Sequence, residues 1–208
     1  MTRPLLAALA VAVPLALVSS RAGAQVHWDA SAQVGVMKRV LTDRQNGDPV
    51  AGFGPAGQLT GHVALLPLVR VGAYIGHDIS PFNDGALSAR DITWGGLRAK
   101  IMSPWPRGDA RLWLFVGFGY AGVYQRSTGL TPTSAPMRGA GGSFFEVPFG
   151  LGASYKLRKP WELCAELGAR AGFGHTGSVY GRGVPKVEDW PGKDAFALGL
   201  TVGVLVDL

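Results

Sequence analysis

The sequence predicts an all-β chain, an eight-stranded antiparallel up-and-down barrel that crosses a membrane, on three observations. The first is the stretch from Ala195 to Leu208, which alternates without a break. Phe196, Leu198, Leu200, Val202, Val204, Val206 and Leu208 share one face; Ala195, Ala197, Gly199, Thr201, Gly203, Leu205 and Asp207 share the other. Successive strand side chains point to opposite faces, so the bulky apolar side is continuous and the opposite side is mostly small or polar. A soluble barrel needs its bulky groups inside, whereas a strand wrapped in lipid shows them outside. The second observation is that the same pattern recurs in seven earlier segments. The third is that short and long connections alternate, as they do in barrels with tight turns on one side of a membrane and loops on the other.

Ahead of the strands lies a targeting segment. Met1, Thr2 and Arg3 make a basic start, Leu5 to Val18 is apolar apart from Pro14, and Ala22-Gly23-Ala24 offers small residues for cleavage. Residues 1–24 are therefore expected to be a removed export signal and 25–208 the barrel domain. The apolar run falls short of the roughly 20 residues of a membrane helix. No Cys follows the cut, which argues against a lipoprotein.

The strands follow in order. The first, about Trp28 to Met37, sends Trp28, Ala30, Ala32, Val34 and Val36 one way and Asp29, Ser31, Gln33 and Gly35 the other. The second, about Ala56 to Leu65, has Leu59, Val63 and Leu65 out and Gln58, Thr60, His62 and Ala64 in. The third, Leu68 to His77, points Val69, Val71, Ala73 and Ile75 out and Arg70, Gly72, Tyr74 and Gly76 in. The fourth, Ile92 to Met102, has Leu97, Ala99 and Ile101 out and Trp94, Gly96, Arg98 and Lys100 in.

The fifth strand, Arg111 to Tyr124, is the most apolar, with Leu112, Leu114, Val116, Phe118 and Tyr120 out and Trp113, Phe115, Gly117, Gly119 and Ala121 in. The sixth, Phe144 to Leu157, has Phe145, Val147, Phe149, Leu151 and Tyr155 out and Glu146, Gly150, Gly152 and Ser154 in. Pro148 falls inside it; proline removes a ladder donor, so a bulge is expected there. The seventh, Glu162 to Gly174, has Leu163, Leu167 and Phe173 out and Glu166, Gly168, Arg170 and Gly172 in. The eighth is the terminal strand. Long loops are expected over 38–55, 78–91, 125–142 and 175–194. Strands of near ten residues suit a tilted bilayer crossing.

Composition excludes some functions. Gly is 31 of 208 residues, but the glycines fall at regular places within apolar alternation, which reads as sheet packing rather than disorder. Net charge is +6, or +4 without Arg3 and Arg21, with no dense Lys/Arg stripe, so nucleic acid is not an expected partner. Anionic head groups or polysaccharide suit the mild basicity better. Cys164 is the only cysteine, so an intrachain disulfide is impossible, and its place on a small strand face points to burial.

With strands and loops placed, the chain resembles the small eight-stranded outer-membrane barrels of Gram-negative bacteria, of the OmpA/OmpX type. The final strand, with Leu200, Val202, Val204 and Val206 alternating, resembles that family's assembly signal; the family usually ends in an aromatic residue, and here Leu208 takes the place. The resemblance implies a monomer in the outer membrane with both termini periplasmic. It also implies partners: outer-membrane lipid and lipopolysaccharide outside, and the barrel-assembly machinery during insertion. Aromatic girdles are expected at the interfaces, with Trp28, Tyr155 and Trp161 low and Tyr124, Phe145, Phe173 and Phe196 high.

The interior charges are the candidate site. Arg70, Arg98, Lys100 and Arg170 point in, as do Glu146, Glu162, Glu166 and Asp207. Buried charges need partners. Glu146 and Arg170 lie on neighbouring strands at similar height, and Glu166 can meet Arg98 or Lys100 across the lumen. Eight strands leave an interior just wide enough for side chains, so the network Arg70, Arg98, Lys100, Glu146, Glu166 and Arg170 is read as a salt-bridged plug rather than an ion gate.

Other constellations are weaker. His62 faces inward as a satisfied interior histidine. His77 with Ser80 and His175 with Ser178 have the wrong spacing for the Ser–His pair of barrel lipid A deacylases. Asp78, Asp84 and Asp91 share an expected loop without the tight repeat of a calcium site. Gly139, Gly141 and Gly142 follow no strand-to-helix pattern and make no phosphate cradle. The loops carry Arg126, Arg138, Arg182, Lys186, Lys193, Phe82, Tyr180 and Trp190, which suit contact with sugar-phosphate or a partner surface.

The expected function is therefore structural or surface-interactive, with no catalysis, cofactor or metal. A small pore or hydrophobic-solute conduit is the first rival, and the inward Trp113 and Phe115 argue against it. A lipid-modifying enzyme needs a converging Ser, His and carboxylate. A soluble periplasmic barrel for an apolar ligand needs the large apolar faces inside.

Overall fold

In the computed structural model, residues 27–42, 49–80, 88–104, 108–127, 141–177 and 195–208 are described. They form eight strands: β1 Trp28–Thr42, β2 Pro49–Leu66, β3 Val69–Ser80, β4 Ser88–Met102, β5 Ala110–Ser127, β6 Gly141–Arg158, β7 Trp161–Gly177 and β8 Ala195–Asp207. Each pairs antiparallel with its sequence neighbour, and β8 pairs with β1, so the barrel is closed and has no free edge. The proposed signal lies outside the described residues.

Parity sorts the side chains. Val34, Leu59, Leu97, Leu114, Phe118, Leu151 and Val202 lie exposed on the outside. Gln33, Thr60, Trp94, Arg98, Trp113, Glu166 and Thr201 lie buried inside. The inside holds almost all the buried polar groups and the outside a band of bulky hydrocarbon, an arrangement that is stable only with lipid around it. The girdle residues Trp28, Tyr155 and Trp161 are exposed at the end that carries the short turns. Tyr124, Phe145, Phe173 and Phe196 are exposed toward the other end. There Phe145 stacks on Phe118 and Phe173 at centroid distances of 5.7 and 5.9 Å, with Tyr120 edge-on at 5.4 Å.

Several expectations need correction. Strands run 12 to 18 residues rather than ten. Lys38 and Arg39, read as the start of a loop, continue β1 with Lys38 outside and Arg39 buried inside. Two polar residues in succession do not break a strand at the height where the outside leaves hydrocarbon and the inside still needs a charge. Likewise Asp78 lies within β3 and Asp91 within β4 instead of sharing a loop, and Gly141 and Gly142 belong to β6. Asp84, Gly139 and the loop residues Phe82, Arg138, Tyr180, Arg182, Lys186, Trp190 and Lys193 lie outside the described residues, as does Ser178.

Pro148 makes no bulge. β5 and β6 pair through Val116↔Phe149 and again from Gly119↔Glu146, in one unbroken register, with the intervening pairs missing. The missing donor is absorbed as a local gap in the ladder, and a Cβ on Gly117 would lie 3.1 Å from the Pro148 ring. A bulge sits instead near the end of β7. Ser143↔Thr176 gives way to Phe145↔Phe173, so two β7 residues face Phe144 alone. Gly174 there has φ 66°, a conformation that a side chain disfavours.

Candidate functional site, a salt-bridged lumen

The barrel interior is built from inward positions of all eight strands, and its charges form three connected layers. At the short-turn end, Asp29 of β1 accepts from Arg70 Nη1 of β3 at 2.7 Å and from Lys100 Nζ of β4 at 2.9 Å. Asp207 of β8 accepts from Arg70 and from Arg111, each at 2.9 Å. Arg111 also pairs with Glu162, whose second oxygen accepts from Ser154 at 2.7 Å. Three cations thus meet three carboxylates.

The middle layer centres on a fork. Arg98 Nη1 and Nη2 donate to the two oxygens of Glu166 at 3.0 and 2.7 Å, a bidentate pair spanning the lumen from β4 to β7. Such pairs are stronger and more directional than single contacts. Gln58 and Trp113 also donate to Glu166, at 2.7 and 3.3 Å. A neutral ladder of Gln33, Ser31, Thr60 and Thr201 fills the β1–β2–β8 side. The guanidinium of Arg98 lies 4.8 Å from the Phe115 ring, and Lys100 Nζ lies 4.9 Å from the Trp113 ring. The two inward aromatics therefore act as cation–π floors for the charges.

His62 links the lower and middle layers. Arg98 Nε donates to His62 Nε2 at 2.8 Å, which fixes that nitrogen as an acceptor. Nδ1 then carries the proton and donates to Asp29 at 2.9 Å. Both ring nitrogens are committed to the network.

The upper layer is more apolar. Arg170 donates to Glu146 at 2.5 Å and Tyr74 donates to the same oxygen at 3.1 Å. The Arg170 guanidinium stacks 3.5 Å from the Trp94 ring. Trp94 Nε1 and Arg39 Nη2 donate to Asp78 at 3.0 and 2.6 Å. Met37, Ile92, Val123 and Phe144 pack around them. Gly76 and Gly152 leave the room that the Trp94 and Trp113 rings occupy; a Cβ at either would overlap the indole.

Of the six residues singled out from sequence, Arg98 with Glu166 and Arg170 with Glu146 are direct pairs. Lys100 and Arg70 go to Asp29. Sequence reasoning left out Arg39, Asp78 and Arg111 and gave Asp29 no ionic role. Arg111 was findable, since it shares parity with Trp113 and Phe115. His77 lies exposed outside and contacts the Thr93 hydroxyl at 2.9 Å. Cys164 is a buried free thiol inside the lumen. Among the described residues no group of three or more His, Cys, Asp and Glu is placed to hold a metal ion.

A closed eight-stranded barrel, apolar outside and ion-paired within, defines the class: the fold is that of the small outer-membrane β-barrels. No protein-family model matches the chain, and no curated protein sequence matches it significantly. Among solved structures it is similar to Neisserial surface protein A (NspA), with a TM-score of 0.59 at 12% identity over 87% of this chain and 97% of that one. It is also similar to Ail, the attachment invasion locus protein of Yersinia pestis, in complex with the heparin analogue sucrose octasulfate. That match has a TM-score of 0.50 at 10% identity over 87% of this chain and 99% of that one. At these identities the likeness is one of fold.

Proposed function

We propose that the chain is a non-catalytic bacterial outer-membrane barrel whose lumen is sealed by its own ion pairs and whose outer loops act as a surface-interaction module. The observation that carries this reading is the interior: six cations are each paired with a carboxylate, and bulky Trp94, Trp113, Phe115 and Phe144 occupy the remaining space. An eight-stranded wall leaves room for such a filling and little else. Among the described residues the lumen carries no Ser–His–carboxylate set: the His62–Asp29 pair ends on Arg98, and its ring nitrogens are both occupied.

Export, periplasmic termini and a monomeric state belong to this reading, as do lipopolysaccharide contact outside and delivery by the barrel-assembly machinery. A surface role is supported by the basic residues Arg138, Arg182, Lys186 and Lys193, which fall between strands in the sequence, and by the sucrose octasulfate that the similar Yersinia protein holds. The plug is tested by single-channel recording in planar bilayers. The wild type is expected to show no steady conductance, and Arg98→Ala with Glu166→Ala to admit ions. Steady wild-type current that the double substitution abolishes would make the same residues a conduction path. Lipid A profiles from cells with and without the protein should be identical; a changed acylation pattern would assign an enzyme.

A further inference from the structure

The lumen pairs its cations, but three cations at the short-turn end are left without carboxylates. Lys156, Arg158 and Lys159 fall within four residues on the β6–β7 hairpin; all three are exposed, and no ion pair holds any of them among the described residues. The carboxylate opposite Lys156 in the ladder, Glu162, is engaged by Arg111 and Ser154. Asp109, exposed on the neighbouring turn, meets this hairpin only through its main-chain carbonyl, which accepts from the Lys156 amide at 2.9 Å.

The same hairpin ends the lipid-facing surface. Tyr155, Leu157 and Trp161 are exposed, and the ladder register shifts between Lys156 and Arg158, so Leu157 is an extra residue there. Tyr and Trp settle at the head-group level of a bilayer. Cations interleaved with them in sequence then stand at the depth of lipid phosphate.

We propose that this turn binds the head group of an anionic phospholipid of the phosphatidylglycerol class, in the leaflet on the short-turn side. Its acyl chains would lie along the apolar wall that ends at Tyr155, Leu157 and Trp161. Three free cations beside an aromatic anchor match a phosphodiester better than a zwitterionic head group, whose amine they repel. The proposal rests on the reading of the chain as a bilayer-spanning barrel.

The test uses the full mature chain refolded into vesicles that mix phosphatidylglycerol with phosphatidylethanolamine. Insertion is first scored by heat-modifiable gel mobility, and retained lipid is then counted by native mass spectrometry. Retained phosphatidylglycerol is expected to exceed its share of the bilayer by about fivefold or more, the effect of one well-placed cation near an anionic surface. The triple variant Lys156→Gln, Arg158→Gln and Lys159→Gln should insert normally and retain lipid in the bilayer's own ratio. The charge-preserving Lys156→Arg, Arg158→Lys and Lys159→Arg should restore the enrichment. A wild type that inserts without enrichment overturns the proposal alone, as does equal enrichment in the triple variant. A chain that fails to insert into any vesicle overturns the membrane reading and the proposal with it.

Discussion

Glu166 accepts from Arg98 twice, from Gln58 and from Trp113, and both charges are buried. Removing one member of a buried pair strands the other, at a cost of about 3–5 kcal/mol. Glu166→Ala should therefore lower stability by that amount, read as a urea midpoint in detergent micelles. Replacing Arg98 and Glu166 together by Leu should recover most of the loss, since neither charge is then orphaned. Space is as specific as charge. At Gly76 a Cβ would overlap the Trp94 ring, whereas at Gly57 the nearest atom to a Cβ lies 3.7 Å away. Gly76→Ala should cost about 1–3 kcal/mol through overpacking, and Gly57→Ala close to nothing, on the same urea assay. Residue-level partners were only partly legible in the sequence. Strand parity identifies Arg98, Glu166 and Lys100 as inward, but parity cannot decide that Lys100 turns to Asp29 and leaves Glu166 to Arg98. That choice depends on heights set by the barrel's stagger, which no single strand encodes.

At the scale of elements, periodicity located all eight strands, because a wall with lipid on one side and a packed lumen on the other imposes period two on every segment. It misplaced the ends. β1 runs on through Lys38 and Arg39 because the strand outlasts the hydrocarbon layer, and above that layer polar residues are acceptable on both faces. The same effect hid Asp78 and Arg39, whose contact at 2.6 Å lies in the upper lumen. Pro148 shows a different limit. A closed barrel has no edge on which to hide a proline, and this one accepts a gap opposite Gly117 and Phe118 while keeping register. Of Gly117 and Phe118, the one whose amide points to β6 rather than to the intact β4 ladder should exchange faster, measured by NMR in micelles, than Leu114 or Val116. Pro148→Ala, which restores the donor, should slow it. Equal protection across β5 in the wild type would mean that the seam is closed after all.

For the whole molecule, two surfaces of opposite character enclose one another. The outside exposes Leu, Val and Phe in a continuous band, and the inside holds ion pairs stacked from Asp207 up to Asp78. Water would favour the inverse arrangement, so the fold and its solvent are one statement. The most direct measurement is cell fractionation followed by gel mobility of boiled and unboiled samples. Recovery in the outer membrane and a mobility shift on boiling are expected, as a closed barrel resists detergent until heated. A soluble periplasmic protein with no shift would contradict it, because the large exposed apolar band would then have no lipid to cover it.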